Sequence, residues 1–223
     1  MDRKLFVQAM AKFSLGVVLV GILLFLPAGT ADYPYGWRLM GVLFVPMFLA
    51  GLVMMARAPG LLRKRLNARE SQMQQSRVIR LSGCMFVAGF VLAGLDFRFG
   101  WSRMPGWVSW CGCASFLLAY VMYALVLREN EFLSRTVEVQ QGQRVVDTGL
   151  YAVVRHPMYA ATVLLFLSMP VILGSWAALA VFLVYPFLLV RRIENEEQVL
   201  EQGLAGYREY KQRVKYRMIP FVW

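Results

Sequence analysis

The chain holds one histidine, His156, set between Arg155 and Pro157 in the stretch GLYAVVRHPMYAA, residues 149–161. Proline is preformed for the first turn of a helix. Arg155 and His156 are therefore expected at a helix N-terminus, where free backbone N–H groups attract anions. Tyr159 lies one helical turn from Arg155. A second polar group follows in LLVRRIENEEQVLEQGLAGYREYKQRVKYRMIPFVW, residues 188–223. There Arg192 and Glu196 are four apart, as are Ile193 and Glu197, so each pair shares a helix face. Carboxylates this close to apolar sequence are costly unless solvated or paired. Together the two groups offer both charge signs. Arg155 or Arg192 would grip a carboxylate bidentately, and Glu197 is a candidate base for an acceptor that must lose a proton.

Each residue alone has an ordinary reading. His156 would be an interfacial hydrogen-bonder, Glu196 and Glu197 a solvated helix face, Arg191 and Arg192 charges flanking a membrane span, and Tyr207 and Tyr210 packing residues of a tail helix. The combination points to a site.

The elements that must position these residues are membrane helices. Hydrophobic residues make up 59% of the 223-residue chain, well above the globular share, and they fall in long runs of the kind that cross a bilayer. Six segments emerge: about Leu5–Leu26, ended by Pro27 and Gly29; Trp37–Ala56; Val78–Leu95; Trp107–Leu127; a fifth after Pro157 to about Leu173; and Ser175 to about Val190. Arg3, Lys4 and the later PAGTAD resemble a signal peptide; the run is read as the first membrane helix. Gly174 and Ser175 make a tight turn, so the last two helices form an antiparallel hairpin, with kinks expected at Pro170 and Pro186. The fold class is an all-α integral membrane protein of about six transmembrane helices, the last two a hairpin. Residues 1–127 form an N-terminal four-helix region. Residues 128–223 hold the polar motifs.

The net charge of +11 follows the positive-inside rule and is not a sign of nucleic-acid binding. Arg57, Arg63, Lys64, Arg65, Arg69, Arg77 and Arg80 face a single acid, Glu70, between the second and third segments. That loop is expected in the cytoplasm, with both termini and the loop 128–157, in a bacterial inner membrane. Trp37, Trp101, Trp107 and Trp176 are interface anchors. Cys84, Cys111 and Cys113 lie in apolar runs, in no metal-ligand pattern, and are read as packing residues; no metal is expected. The hairpin returns Arg192, Glu196 and Glu197 to the end where Arg155, His156 and Tyr159 stand. This gives a cleft open to the cytoplasm below and to lipid at the side.

The two motifs resemble the isoprenylcysteine carboxyl methyltransferase family, which is related to the phospholipid N-methyltransferases. The carrying residues are Gly149, Tyr151, Val154, Arg155, His156, Pro157 and Tyr159, then Glu196, Glu197, Leu200, Tyr207, Tyr210, Ile219 and Pro220. Upstream, Asn130, Phe132 and Ser134 in ENEFLS match an asparagine-aromatic element. Ala160–Ala161 and Gly203–Leu204 depart from the family's usual glycine and aromatic-glycine positions. The resemblance implies S-adenosyl-L-methionine as cofactor, entering from the cytoplasm into a pocket formed by the loop and the C-terminal helix. A lipophilic small molecule or lipid would enter from the bilayer and receive a methyl group on a carboxylate or an amine. It further implies Tyr151, Val154, His156, Pro157, Tyr159 and Glu196 as cofactor-binding residues and Asn130 at the substrate. Arg155, Arg192 and Glu197 are the catalytic candidates. Two other readings remain: an NADPH-dependent sterol-type membrane reductase, whose C-terminal region is similar, and a non-enzymatic membrane protein binding lipid or a partner through the basic loop at 57–80.

Overall fold

The computed structural model describes residues 3–67, 73–133 and 139–223. Arg69, Glu70 and Ser134, named above, lie outside the described residues. Among the described residues the chain is all-helical: α1 Arg3–Ala28, α2 Pro34–Arg57, α3 Pro59–Asn67, α4 Met73–Phe99, α5 Gly106–Glu129, a 3₁₀ turn Gly149–Ala152, α6 Pro157–Ile172, α7 Trp176–Phe182, α8 Tyr185–Gly203 and α9 Tyr207–Arg213. Five helical stretches are long and apolar enough to cross a membrane: α1, α2, Arg77–Phe99 of α4, α5, and the α7–α8 run Trp176–Gly203. The sixth apolar helix, α6, has 16 residues, roughly 24 Å at 1.5 Å per residue.

The six apolar runs therefore become helices, with two departures from the expected pattern. The basic loop between the second and third segments is partly helical, since α3 occupies Pro59–Asn67. The sixth run is broken at Leu183–Val184, and Pro186 sits in the first turn of α8, where its missing N–H costs nothing. Pro170, by contrast, stays inside α6.

Apolar side chains face outward along the bundle, as at Leu15, Val18 and Ile22 of α1 and Leu118 and Val121 of α5. That is the pattern of a lipid-facing surface rather than a water-facing one. Between helices, small residues let backbones approach. A side chain on Gly94 would stand 2.6 Å from Leu24 O on α1, and one on Gly112 of α5 would stand 2.9 Å from Ile172 N on α6. Leu24, Leu39, Phe116, Ile172, Phe182, Leu189 and Ile193 fill the centre.

At one end of the bundle three turns are tied together. The Tyr33 hydroxyl donates to Leu173 O at 3.2 Å. Asp96 accepts from Ser102 N and Ser102 Oγ, both at 2.6 Å, and from Ser175 Oγ. Ser175 Oγ in turn caps α7 by accepting from Ala178 N at 3.0 Å, an ordinary N-cap. The left-handed Gly174 (φ 70°) makes the expected hairpin turn here. The opposite end, one length of α6 away, holds the polar motifs.

Candidate functional site

The site is built where α5 ends and α6 begins. Asn130 closes the C-terminus of α5. Its Oδ1 accepts from Phe132 N at 3.0 Å, and its Nδ2 donates to the Tyr151 hydroxyl at 3.0 Å. The Thr148 hydroxyl donates to Glu129 Oε2 at 2.8 Å. Gly149 then turns the chain at φ 55°, with its missing Cβ position 2.7 Å from Glu129 Oε1, so only glycine fits. The 3₁₀ turn that follows places Tyr151, whose carbonyl accepts from the Tyr210 hydroxyl at 2.8 Å. Burial pushes the Tyr151 phenol up to about 12.

His156 occupies the N-cap position of α6 and Pro157 the first turn, as the sequence predicts. The backbone of this segment is laced to the chain's last residues: Arg155 N donates to Tyr216 O at 2.9 Å and His156 N to Arg217 O at 2.7 Å. The Arg155 side chain is 7% exposed. Its Nε donates to Glu197 Oε1 at 2.7 Å and its Nη1 to Val214 O at 2.7 Å and Lys215 O at 2.8 Å. Glu197, 2% exposed, also meets His156 Nε2 at 3.3 Å, and its Oε2 accepts from Arg217 Nε at 3.1 Å, with Lys211 Nζ at 3.6 Å. A buried carboxylate needs such partners to offset its desolvation.

Glu196, the next residue, points to a cavity. Its Oε2 accepts from the Tyr159 hydroxyl at 2.5 Å, and that hydroxyl accepts from Arg192 Nε at 2.8 Å. The other Glu196 oxygen lies 4.0 Å from His156 Nδ1. The i, i+4 spacing of Arg192 and Glu196 on α8 thus clamps one phenol from both sides.

The cavity is lined by the polar group of Arg155, His156, Tyr159, Arg192 and Glu196. Leu133, Val145, Val146, Val199, Leu200 and Leu204 add apolar lining. Asn130, Tyr151, Pro157, Tyr207 and Tyr210 also line it, as do Phe132, Gln143, Arg144 and Met158. Of the residues named from sequence, two are not in that wall: Val154, which is buried behind it, and Glu197, which faces Arg155 and Arg217. Sequence reasoning left Tyr207 and Tyr210 as packing residues. Their spacing of three, on a short helix after Leu200 and Leu204, was the available signal. Both are buried, and burial raises both phenols well above their ordinary range; the Glu197 and Glu196 charges add to the shift at Tyr207. They stay neutral hydrogen-bond donors.

A zwitterionic nucleoside ligand fits this cavity on the chemistry of its donor set. His156 suits a carboxylate, Glu196 an ammonium or a sugar hydroxyl, and the apolar lining a planar base. Among the described residues no group of His, Cys, Asp and Glu is arranged to hold a metal ion.

An all-helical bundle with five membrane-length helices and a two-signed cavity at one end defines an integral membrane protein. Residues 107–202 match the model of the isoprenylcysteine carboxyl methyltransferase (ICMT) family. A solved structure of the eukaryotic intramembrane Ras methyltransferase ICMT, determined without a monobody, superposes with a TM-score of 0.62 at 21% identity, covering 92% of this chain and 74% of that one. That likeness establishes the fold. The mouse (Mus musculus) Delta(14)-sterol reductase TM7SF2 is 31% identical over 91 residues, 40% of this chain and 22% of the reductase. The chain thus spans less than a quarter of that relative's length. The resemblance carried by the two motifs is borne out as a likeness: residues 107–202 match the model of the isoprenylcysteine carboxyl methyltransferase family, and the fold is that of the solved ICMT structure.

Proposed function

We propose that this protein is an S-adenosyl-L-methionine-dependent methyltransferase of the membrane that acts on a lipophilic acceptor. One observation carries the reading: a cavity with both charge signs, closed by two distant motifs, stands at the N-terminus of a membrane helix in a chain that matches the family. The cavity end and both termini face the cytoplasm, as the basic residues around α3 suggest. When bound, the cofactor supplies a sulfonium methyl whose C–S bond breaks as the acceptor's new bond forms. Methyl transfer of this kind depends chiefly on positioning.

His156 holds the cofactor's carboxylate, and Glu196 holds its ammonium or a ribose hydroxyl. Tyr159 is fixed between Glu196 and Arg192. Arg155 and Glu197 act as positioning residues: their bond joins the start of α6 to α8 and the C-terminal segment. Arg192 is left to orient the acceptor.

A carboxylate acceptor is favoured over an amine. It needs no base, and Glu197, the candidate base, is outside the cavity wall and held by two guanidinium groups. The lipophilic character of the acceptor is supported by an apolar groove along α5 and α6. It runs past Gly112, Val163 and Leu167 to Ala160, beside Tyr159, with Met218 and Ile219 on its border.

The reading is tested on protein purified in detergent. S-adenosylhomocysteine raises the melting midpoint, NADPH does not, and His156→Ala or Glu196→Ala abolishes the shift. Stabilisation by NADPH alone would instead favour the reductase that the mouse relative suggests. Labelled methyl transfer into a lipid extract then reveals the acceptor.

A further inference from the structure

The segment after α9 folds into a closed turn. Met218 N and Ile219 N both donate to Trp223 O at 3.0 Å, and Trp223 N donates to Ile219 O at 3.1 Å. One side of the turn is seated on the bundle: Met218 is buried in the main core, and Trp223 packs against that core. The Arg217 guanidinium lies 5.1 Å from the centre of the Trp223 ring. The other side faces out, and Ile219, Pro220, Phe221 and Val222 are exposed in succession. Phe221 is 86% exposed, more than any other large apolar side chain among the described residues, and Val222 is 75% exposed. Phe221 is also the one non-glycine residue among them with a positive φ, 64°. Bulky side chains rarely adopt that conformation. Its ring meets Tyr216, with centroids 5.2 Å apart, and otherwise stands clear of the fold. A phenylalanine held at a backbone cost and turned outward points to a receiving medium outside the chain.

The surroundings identify that medium. Met218 and Ile219 line the groove that runs along α5 and α6 past Val163, Leu164 and Leu167. The turn is therefore continuous with the lipid-facing surface of the bundle, where α5 shows Leu118, Val121 and Leu125 outward. Exposed Lys215 precedes the turn, and Tyr216 and Trp223 flank its tip. An apolar tip set among aromatic and basic side chains is the composition that settles at a membrane interface.

We infer that the turn 218–223 is a membrane anchor, whose Phe221 and Val222 insert among the lipid chains of the leaflet on the site's side of the bundle. Tyr216 O and Arg217 O of the same segment accept from Arg155 N and His156 N, so the anchor and the start of α6 are held at one depth. The inference does not depend on the reaction the protein catalyses.

Labelling of an added thiol by a membrane-impermeant maleimide tests it, on the full chain in phosphatidylcholine nanodiscs that hold one copy each. The reporter is Val222→Cys, and Glu209→Cys, exposed on α9, is the water-facing reference. Wild type gives the background from Cys84, Cys111 and Cys113. Both reporter positions are open in the structure, so a difference in rate reports lipid. Val222→Cys reacts more slowly than the reference by about tenfold or more. Adding Phe221→Asp, which suits a positive φ better than phenylalanine, brings the rate up to the reference. Adding Phe221→Leu, which keeps the tip apolar, leaves it slow. Labelling of Val222→Cys as fast as the reference puts the tip in water and overturns the inference. Slow labelling that survives Phe221→Asp overturns it too, because protein is then the shield. So does fast labelling with Phe221→Leu, because the shape of the turn and not its apolarity is then what matters.

Discussion

Asp96 and Glu197 are both 2% exposed carboxylates in one apolar bundle, at opposite ends of α6, and they are satisfied in different ways. Asp96 is held by neutral donors: the Ser102 and Ser175 hydroxyls and a backbone N–H. These come from two turns, and the result is a clasp between the α4–α5 and α6–α7 connections. Glu197 is held by Arg155, His156 and Arg217, drawn from the start of α6 and from the C-terminal segment. Beside it stand Glu196 and a cavity lined by groups of both charge signs. The contrast teaches that a buried charge in a membrane protein does not by itself mark a site. What separates the ends is the cavity and the charge of the partners.

The largest effect expected from breaking this contrast is at Arg155. Arg155→Met leaves Glu197 buried without its closest partner, a change that costs about 3–5 kcal/mol. The melting midpoint in detergent drops by roughly 10 °C, and S-adenosylhomocysteine stabilisation is lost with the geometry of His156. Next comes the far clasp. Asp96→Ala strands two serine hydroxyls and the Ser102 N–H and costs about 1–3 kcal/mol. The midpoint falls, yet ligand affinity stays within about twofold, since sites that share no partners act independently. The smallest effect is at Tyr210: Phe there removes one bond to Tyr151 O, about 1 kcal/mol, visible as a modest fall in the ligand-free midpoint.

Much of the comparison was legible in the sequence. The spans stand out because each is an unbroken apolar run, and Gly174–Ser175 marks the hairpin by its turn chemistry. Pro157 announces the start of α6, and the i, i+4 spacing of Arg192 and Glu196 anticipates the shared clamp on Tyr159. Helix α3 was missed because its residues, PGLLRKRLN, read first as topology charges. The break before Pro186 was foreseen as a kink, but not its depth. The roles of Arg155 and Glu197 were the least readable. Residue type advertises a charge but not its partner, and the backbone pairing of 155–156 with 216–217 joins segments about sixty residues apart with no periodic signal. Asp96 gave no cue either: its partners lie in separate turns that only the packed bundle brings together.

On this reading the cofactor is held by the two-signed cavity at the start of α6 and not elsewhere on the bundle. The most direct measurement is equilibrium binding of S-adenosylhomocysteine to the purified wild type, Glu196→Ala and Asp96→Ala in parallel. Binding that disappears in Glu196→Ala and persists in Asp96→Ala is the predicted result. Equal affinity in wild type and Glu196→Ala would contradict the claim.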